Sequence, residues 1–368
     1  MGTNSRHATA VLTPNSAACP STVAIGGARI GPKQRVYTIA EAGVNHNGNL
    51  DAALRLVDAA LSAGADAVKF QAFRAVDLVT ADAATAGYQR SATGSTSQRE
   101  MLRRLELSHD GFAALQRRCR ASGIEFLCTP FSVGDLRMLL DLGVRAIKIA
   151  STDLNNTLLL NEAAGAKVPL ILSTGASEGD EVERTVRRLT DWGCGDRLVL
   201  LHCVSSYPTL WQDANLRRIG TLRDRFDVPV GFSDHTPSVE TGALAVAAGA
   251  YVLEKHLTLD RSLPGPDQAL SLEPDGLAAY IASVRHAEEA LGDGELEMRE
   301  VERDVRRIAR KSVVAAVDIP PGHVIGPDCL TVKRPAGGIE PDDLERLIGR
   351  RATALIPADT RLTWEMVE

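Results

Sequence analysis

The chain has 368 residues, enough for one large domain and one small one. Hydrophobic residues make up 44%, charged residues 24%, and the net charge is -6, a balance that offers no basic face to nucleic acid. No apolar run reaches the ~18 residues of a membrane helix, and no basic-then-apolar leader opens the chain, so a cytoplasmic protein without nucleic-acid or membrane partners is expected.

Residues 1–34 are rich in Ala, Ser, Thr, Gly and Pro and read as a poorly ordered lead-in. Short β-branched or apolar runs then alternate with helical stretches. The expected strands are Val36–Gly43, Ala67–Phe73, Phe126–Phe131, Ala146–Thr152, Leu170–Ala176, Leu198–Val204, Val228–His235 and Tyr251–Leu259. Between the first two, Leu50, Leu54, Val57 and Leu61 share one face of a helix over Asn49–Ala63, with Asn49 or Asp51 as its cap. Ser108 and Asp110 open a helix to Ser122, and Pro274–Leu291 reads as the last barrel helix. Strict alternation of eight βα units over residues 35–291 predicts an α/β fold, a parallel (β/α)8 TIM barrel. The stretch Arg74–Leu107 exceeds an ordinary βα loop, which marks it as a functional excursion. A charged, helical linker is expected over 292–310, and short strands and turns over 311–368 form a separate small domain.

Polar residues fall where such a barrel keeps its chemistry, at the C-terminal ends of the strands. The first strand ends in Glu41, followed by Asn45 and His46; the second holds Lys69 and Gln71; the third ends in Thr129. The fourth gives Lys148, Ser151 and Asp153, the fifth Ser173 and Thr174, and the sixth runs into Ser205, Ser206 and Tyr207. The seventh ends in Ser233, Asp234 and His235, and the eighth contains Glu254, Lys255 and His256. The two-residue period puts Lys69 with Gln71, Ser233 with His235, and Glu254 with His256, opposite Lys255. Burying that many charges without a ligand is unfavourable.

The residue types suit anion binding and metal chemistry. Lys69 and Lys148 act as point charges for a phosphate or carboxylate, with hydroxyls from Ser151, Ser173, Thr174 and Ser233 beside them. His235 and His256, on neighbouring strands, are placed to share one metal with open positions for water and substrate. The ligand set alone does not choose among manganese, zinc, iron and cobalt. Glu41 is the general-base candidate, because the first strand closes beside the eighth. The six cysteines, Cys19, Cys119, Cys128, Cys194, Cys203 and Cys329, contain no C-x-x-C pair and read as free thiols of a reducing compartment.

Ordered strings then carry a resemblance: AEAGVNHNG at 40–48, VKFQ at 68–71, TPFS at 129–132, KIAS at 148–151, LSTG at 172–175, LLHCVSSYP at 200–208, GFSDHT at 231–236, EKHLTLD at 254–260 and PGPDQALSLEP at 264–274. With KSVVAAVDIPPG and VKRPAGG further on, the chain resembles the sialic acid synthases over about residues 35–368, among them the N-acetylneuraminate, legionaminate and pseudaminate synthases. The resemblance implies condensation of phosphoenolpyruvate with the open-chain aldehyde of an N-acyl hexosamine such as N-acetylmannosamine. The product is a nonulosonic acid, and phosphate leaves with C–O cleavage. It implies a divalent metal, usually manganese with magnesium or cobalt as alternatives, on His235 and His256. It makes Glu41, Lys69, Lys148 and Asp153 the catalytic candidates. Thr129, Ser151, Ser173, Thr174, Ser205 and Ser233 join the lysines around phosphoenolpyruvate, while Gln71, Tyr207 and Asp267 fall at sugar-contacting positions. The last domain resembles the family's antifreeze-like module (SAF, a β-clip fold), which implies a homodimer with that domain swapped, Arg334 reaching the partner's sugar.

Thr152, Arg99 and Arg310 depart from what the resemblance leads one to expect, all where the acceptor sugar is recognised. Three rival readings were weighed. A phosphorylated acceptor needs an extra basic cluster, for which only Arg99 and Arg310 stand out. A metal-dependent hydrolase of this fold often opens with His-x-His, absent here. A non-catalytic sugar- or ice-binding protein leaves the barrel's chemistry unexplained.

Overall fold

The structure, a computed structural model, describes residues 22–368, so the first 21 residues of the expected lead-in lie outside it. The described chain divides after Gly292 into two compact units. The first contains β1 (Val23–Ile25), β2 (Ala28–Ile30), β3 (Tyr37–Gly43), β4 (Ala67–Ala72), β5 (Glu125–Pro130), β6 (Ile147–Ile149), β7 (Leu170–Ser173), β8 (Leu198–Cys203), β9 (Val230–Asp234) and β10 (Val252–His256). β3 to β10 form one eight-stranded sheet in the order β5-β4-β3-β10-β9-β8-β7-β6, and every paired neighbour is parallel. The first and last of these strands pair, Tyr37 opposite Val252 and Glu41 opposite His256, which curls the sheet into a nearly closed (β/α)8 barrel. Its seam lies at the sheet's two ends, β5 and β6.

The expected helices form where their caps stand. Asn49 accepts a hydrogen bond from the Ala52 amide at the start of Leu50–Ser62, and Ser108 accepts one from Gly111 at the start of His109–Ser122. Pro274 opens Pro274–Leu291, where a missing amide hydrogen does no harm. Excursion 74–107 condenses into three short helices, Ala75–Leu78, Gly87–Thr93 and Gln98–Arg103.

Alternation divides the barrel interior into layers. Near the N-terminal ends, the inward positions are apolar: Tyr37 and Ile39 on β3, Leu127 on β5, Ile171 on β7, Val199 on β8 and Val252 on β10 pack as one cluster. Here the expectation of a disordered segment through residue 34 is corrected. β1 and β2 pair as an antiparallel hairpin, and Val23, Ile25 and Ile30 are buried in that same cluster. A barrel whose lower layer is apolar leaves that surface facing water unless something covers it, and three aliphatic side chains do so.

The second unit pairs β11 (Ser312–Ala315) with β12 (Leu330–Lys333) antiparallel, around a small core that includes Val313, Ile319, Ile325 and Leu362. The expected linker 292–310 is not one helix: only Glu300–Glu302 and Arg303–Ala309 are helical, and the segment after Gly292 groups with the second unit. Gly292 and Gly294 both take positive φ, 61° and 77°, which interrupts a helix at its start. No helix among the described residues is long and apolar enough to cross a membrane.

Candidate active site

One step along from the apolar layer, the same inward faces turn polar and enclose a cavity of about 560 Å³ at the C-terminal ends of the strands. Lys69 on β4 lies 2.6 Å from the Glu41 carboxylate on β3 and 3.7 Å from that of Glu254 on β10. It also donates to the Thr129 hydroxyl at 3.2 Å, while the Gln71 amide donates to the other Glu41 oxygen at 3.0 Å. The ladder between β3 and β4 shifts register between Glu41 and Gly43. Gly43, at φ 50°, has Glu41 and Gln71 pressed against the place a Cβ would take. The irregularity is thus a means of aiming Glu41 inward, and it requires glycine.

Across the cavity, Lys148 on β6 donates to the Ser173 hydroxyl at 2.7 Å and to its neighbour's carbonyl on Ile149 at 3.0 Å. Ser233 donates to Glu254 at 3.0 Å, leaving the second Glu254 oxygen buried without a partner. The charges set each other's proton affinity. Burial raises the Glu41 carboxyl above its ordinary range, only partly opposed by Lys69. Burial works in the same direction on Glu254, but Lys148 and Lys69 outweigh it and hold that carboxyl low. Burial pulls the Lys148 ammonium below its usual value; on Lys69 the same burial is overcome by Glu254 and Glu41, and the pKa rises. Of these two carboxyls Glu41 is the one whose affinity for a proton is raised.

His235 and His256 line the same cavity, ring centroids 5.4 Å apart and inclined at 61°. His235 Nδ1 faces the Val204 carbonyl at 2.8 Å, so this nitrogen carries the hydrogen and Nε2 keeps its lone pair. His256 is buried with Nδ1 unpartnered, and burial, then the neighbouring His235, hold its pKa well below the ordinary value. Two imidazoles lining one cavity suit one cation. Among the described residues no group of three or more His, Cys, Asp or Glu is arranged to hold a metal ion. Tyr207 packs on His235 at 4.3 Å between ring centroids.

Ser151, Ser205 and Cys203 converge on Gly175. Its amide donates to the Ser151 hydroxyl at 2.9 Å, and a Cβ there would collide with Ser205 and Cys203. Asp153 lines the cavity and accepts from Asn156 at 2.8 Å; burial raises its carboxyl. Asp267 also lines the cavity, and burial pushes its pKa up to about 6.

One expectation fails the geometry. The Thr174 hydroxyl does not line the cavity: it donates to the Leu201 carbonyl at 3.0 Å, which consumes it in the barrel wall. The side chain one step beyond the inward Ser173 belongs to the other face. Arg334, expected at the partner's site, is exposed on the second unit. Among the ionisable lining residues, Cys203 has no place in the sequence reading of the site, and Glu254 is placed on the inward face without a role. The signal for Glu254 was present, since it shares a face with His256. The cavity's outer wall, built by the excursion, had no sequence signal beyond length.

Comparison with known proteins agrees with this arrangement. Residues 56–296 match the NeuB family, and residues 310–368 match the SAF domain. An N,N'-diacetyllegionaminic acid synthase of Legionella pneumophila is 42% identical over 92% of this chain and 96% of its own. A synthase of the same name from Campylobacter jejuni is 38% identical over 87% and 96%. The crystal structure of an N-acetylneuraminic acid synthetase from Leptospira borgpetersenii superposes with a TM-score of 0.70 at 37% identity, covering 78% of this chain and 95% of that one. With a buried lysine–carboxylate cluster at a barrel mouth and a SAF domain later in the sequence, the chain is an enzyme that belongs to the NeuB family.

Proposed function

We propose that the enzyme condenses phosphoenolpyruvate with an open-chain N-acyl amino hexose and water, giving a nonulosonic acid and phosphate. The observation that carries this is the cavity's pairing of two buried lysines with the buried Glu41, beside two imidazoles. Lys69 and Lys148, with the hydroxyls of Thr129, Ser151, Ser173, Ser205 and Ser233, hold the donor's carboxylate and phosphate by charge-assisted contacts. His235 and His256 would hold a divalent cation, manganese on this reading, which would supply Lewis acidity for polarising a carbonyl. Gln71, Tyr207 and Asp267 orient the sugar. Carbon 3 of the donor forms the new bond to the aldehyde carbon, whose oxygen takes a proton and becomes a hydroxyl. Water adds at carbon 2, the carbon 2–oxygen bond breaks, and phosphate leaves with the electron pair. Glu41 holds the proton that this sequence moves.

The reading extends to a homodimer. Val301, Val305 and Ile308 recur at helical spacing in the second unit and are exposed, as is Leu296, which suits packing on a second copy. Arg334, exposed on that unit, would then reach the partner's sugar. The five described cysteines are free thiols, in keeping with a cytoplasmic setting. Against a phosphorylated acceptor, Arg99 is absent from the lining and donates both Nε and Nη2 to the Val79 carbonyl, at 3.3 and 2.8 Å.

The test is phosphate release from phosphoenolpyruvate with an N-acyl hexosamine, with and without manganese. Release that needs both acceptor and metal is expected; release without an acceptor counts against the reading. For the dimer, an inactive Glu41→Ala chain is mixed with an inactive Arg334→Ala chain under subunit exchange. Activity returns if sites are shared, because one mixed site is intact, and stays absent if each chain builds its own.

A further inference from the structure

One carboxyl of the mouth, Asp267, lines the cavity while making no hydrogen bond or ion pair among the described residues. Glu41 is aimed by Lys69 and Gln71, and Lys148 by Ser173. A side chain without such partners takes its direction from its rotamer and its backbone. Asp267 stands in the loop after β10, outside the sheet, so no ladder holds that backbone.

Side chains hold it instead. The Ser271 hydroxyl donates to the Asp267 carbonyl at 2.6 Å and accepts from the Asn45 side-chain amide at 2.9 Å. The same amide donates to the Leu257 carbonyl at 2.8 Å. The Gln268 side chain donates to the Asn45 carbonyl at 3.0 Å, and its oxygen accepts from the Thr258 hydroxyl. Upstream, the Asn47 side chain donates to the Pro264 carbonyl at 2.8 Å. Gly265 passes so close to this clasp that an added Cβ would lie 2.9 Å from Asn47 Oδ1 and 3.0 Å from Gln268 Cγ. Asn45, Thr258, Gln268 and Ser271 are each at most 3% exposed, so a lost partner is not simply replaced by water. The clasp joins the loop that follows Glu41 to the loop that carries Asp267. Closure of the barrel is already secured there by five paired residues between β3 and β10; what the clasp adds is a fixed backbone at Asp267.

We propose that Asn45, Gln268 and Ser271 are positioning residues for Asp267, holding its backbone so that the carboxylate meets the acceptor sugar in one orientation. This rests on the proposed condensation and on contact between Asp267 and the sugar. The donor's groups, Lys69, Lys148 and their hydroxyls, make no hydrogen bond with the clasp among the described residues, so its loss is felt by the acceptor alone.

The experiment is a double-mutant cycle read as phosphate release from phosphoenolpyruvate with manganese. The acceptor is N-acetylmannosamine or 2,4-diacetamido-2,4,6-trideoxymannose, whichever is used faster. Asp267→Ala is expected to lower kcat/KM for the acceptor about 10- to 100-fold, as loss of one hydrogen bond to a charged group predicts. Ser271→Ala, which removes a single oxygen, is expected to lower it about three- to tenfold by misplacement, with the KM for phosphoenolpyruvate unchanged. In the Asp267→Ala chain the same substitution should change it less than about twofold, because no carboxylate is left to misplace. Gln268→Met, similar in length but without either hydrogen bond, should repeat the pattern, and it stands in for Ser271→Ala if circular dichroism shows that chain unfolded. A loss that persists in full without Asp267, or that raises the KM for phosphoenolpyruvate equally, makes the clasp structural and overturns the inference. So does an unchanged kcat/KM in both folded variants. An Asp267→Ala chain as active as wild type overturns the role of Asp267 and this inference with it, leaving the condensation standing. Release with neither sugar from folded wild-type protein overturns the condensation as well.

Discussion

Strand β10 carries Glu254 and Lys255 side by side, and the two belong to buried lysine–carboxylate clusters with opposite purposes. Behind the strand, Lys255 pairs with Asp234 at 3.0 Å, donates to the Thr236 carbonyl at 2.5 Å, and lies 5.2 Å from the centroid of the Tyr280 ring. Asp234 in turn accepts from the Thr236 amide at 2.8 Å and from the Thr241 hydroxyl at 2.5 Å. In the mouth, burial is equally deep, but Glu254 has one bonded oxygen and one orphaned oxygen, and His256 has an orphaned nitrogen. Residue type and burial do not separate these clusters; completeness does. A charged group with every partner supplied by its own chain is a strut, and one left short faces something the chain does not contain.

Four measurements break or sharpen that contrast. The largest expected effect is on the mouth: Glu41→Gln should lower kcat by about 10²–10⁴-fold, the usual reach of a positioned proton carrier, while thermal stability holds or rises. A loss of stability with turnover retained would make Glu41 a strut. Next comes the closed cluster. Asp234→Ala leaves Lys255 buried without its counter-charge, and should cost about 3–5 kcal/mol in denaturant unfolding. Phosphate release per folded molecule should survive; an unaltered unfolding midpoint would dissolve the distinction. Third, Lys148→Met should raise the KM for phosphoenolpyruvate about tenfold or more, as loss of one charge-assisted contact predicts. An unchanged KM would remove Lys148 from the anion site.

The smallest effect concerns pH. His202 lies outside the cavity, with Nε2 bonded to the Ala214 carbonyl at 2.8 Å, and burial pushes its pKa down to about 4. Below its unfolded value near 6.5 the unfolded chain binds the proton more readily than the folded one. The contribution is therefore complete above pH 6.5 and drains as pH falls toward 4, amounting to about 2 kcal/mol by pH 5. Unfolding of the wild-type chain and of His202→Gln at pH 7 and pH 5 measures it. The variant should lose less stability across that interval, and parallel losses would refute the linkage.

The contrast also explains what was legible beforehand. The two-residue period put Glu254 and His256 on one face and Lys255 on the other, and that partition holds because backbone pleat alone sets it. It likewise gives Ser173 to the interior, but residue type alone makes Ser173 and Thr174 equal candidates for an anion; only the ladder, which hands the Thr174 hydroxyl to Leu201, separates them. The hairpin Val23–Ile30 escaped notice because two three-residue strands in a Gly-rich setting carry almost no periodic signal. What ordered them is the uncovered apolar floor of a barrel assembled from distant strands.

By itself, then, the sequence determined eight alternating units, their helix caps, the polar character of the strand ends, and membership of a family, since these depend on local pattern and on ordered strings. Tertiary structure decided which carboxylate is complete and which is not, where Glu41 points, and what faces the outer half of the cavity. Those outcomes depend on closure, which brings His256 opposite Glu41 from 215 positions away in the chain (256 minus 41) and folds a helix-bearing excursion over the mouth. A side chain's partners, and hence its charge and its freedom to act, exist only after such distant strands have met.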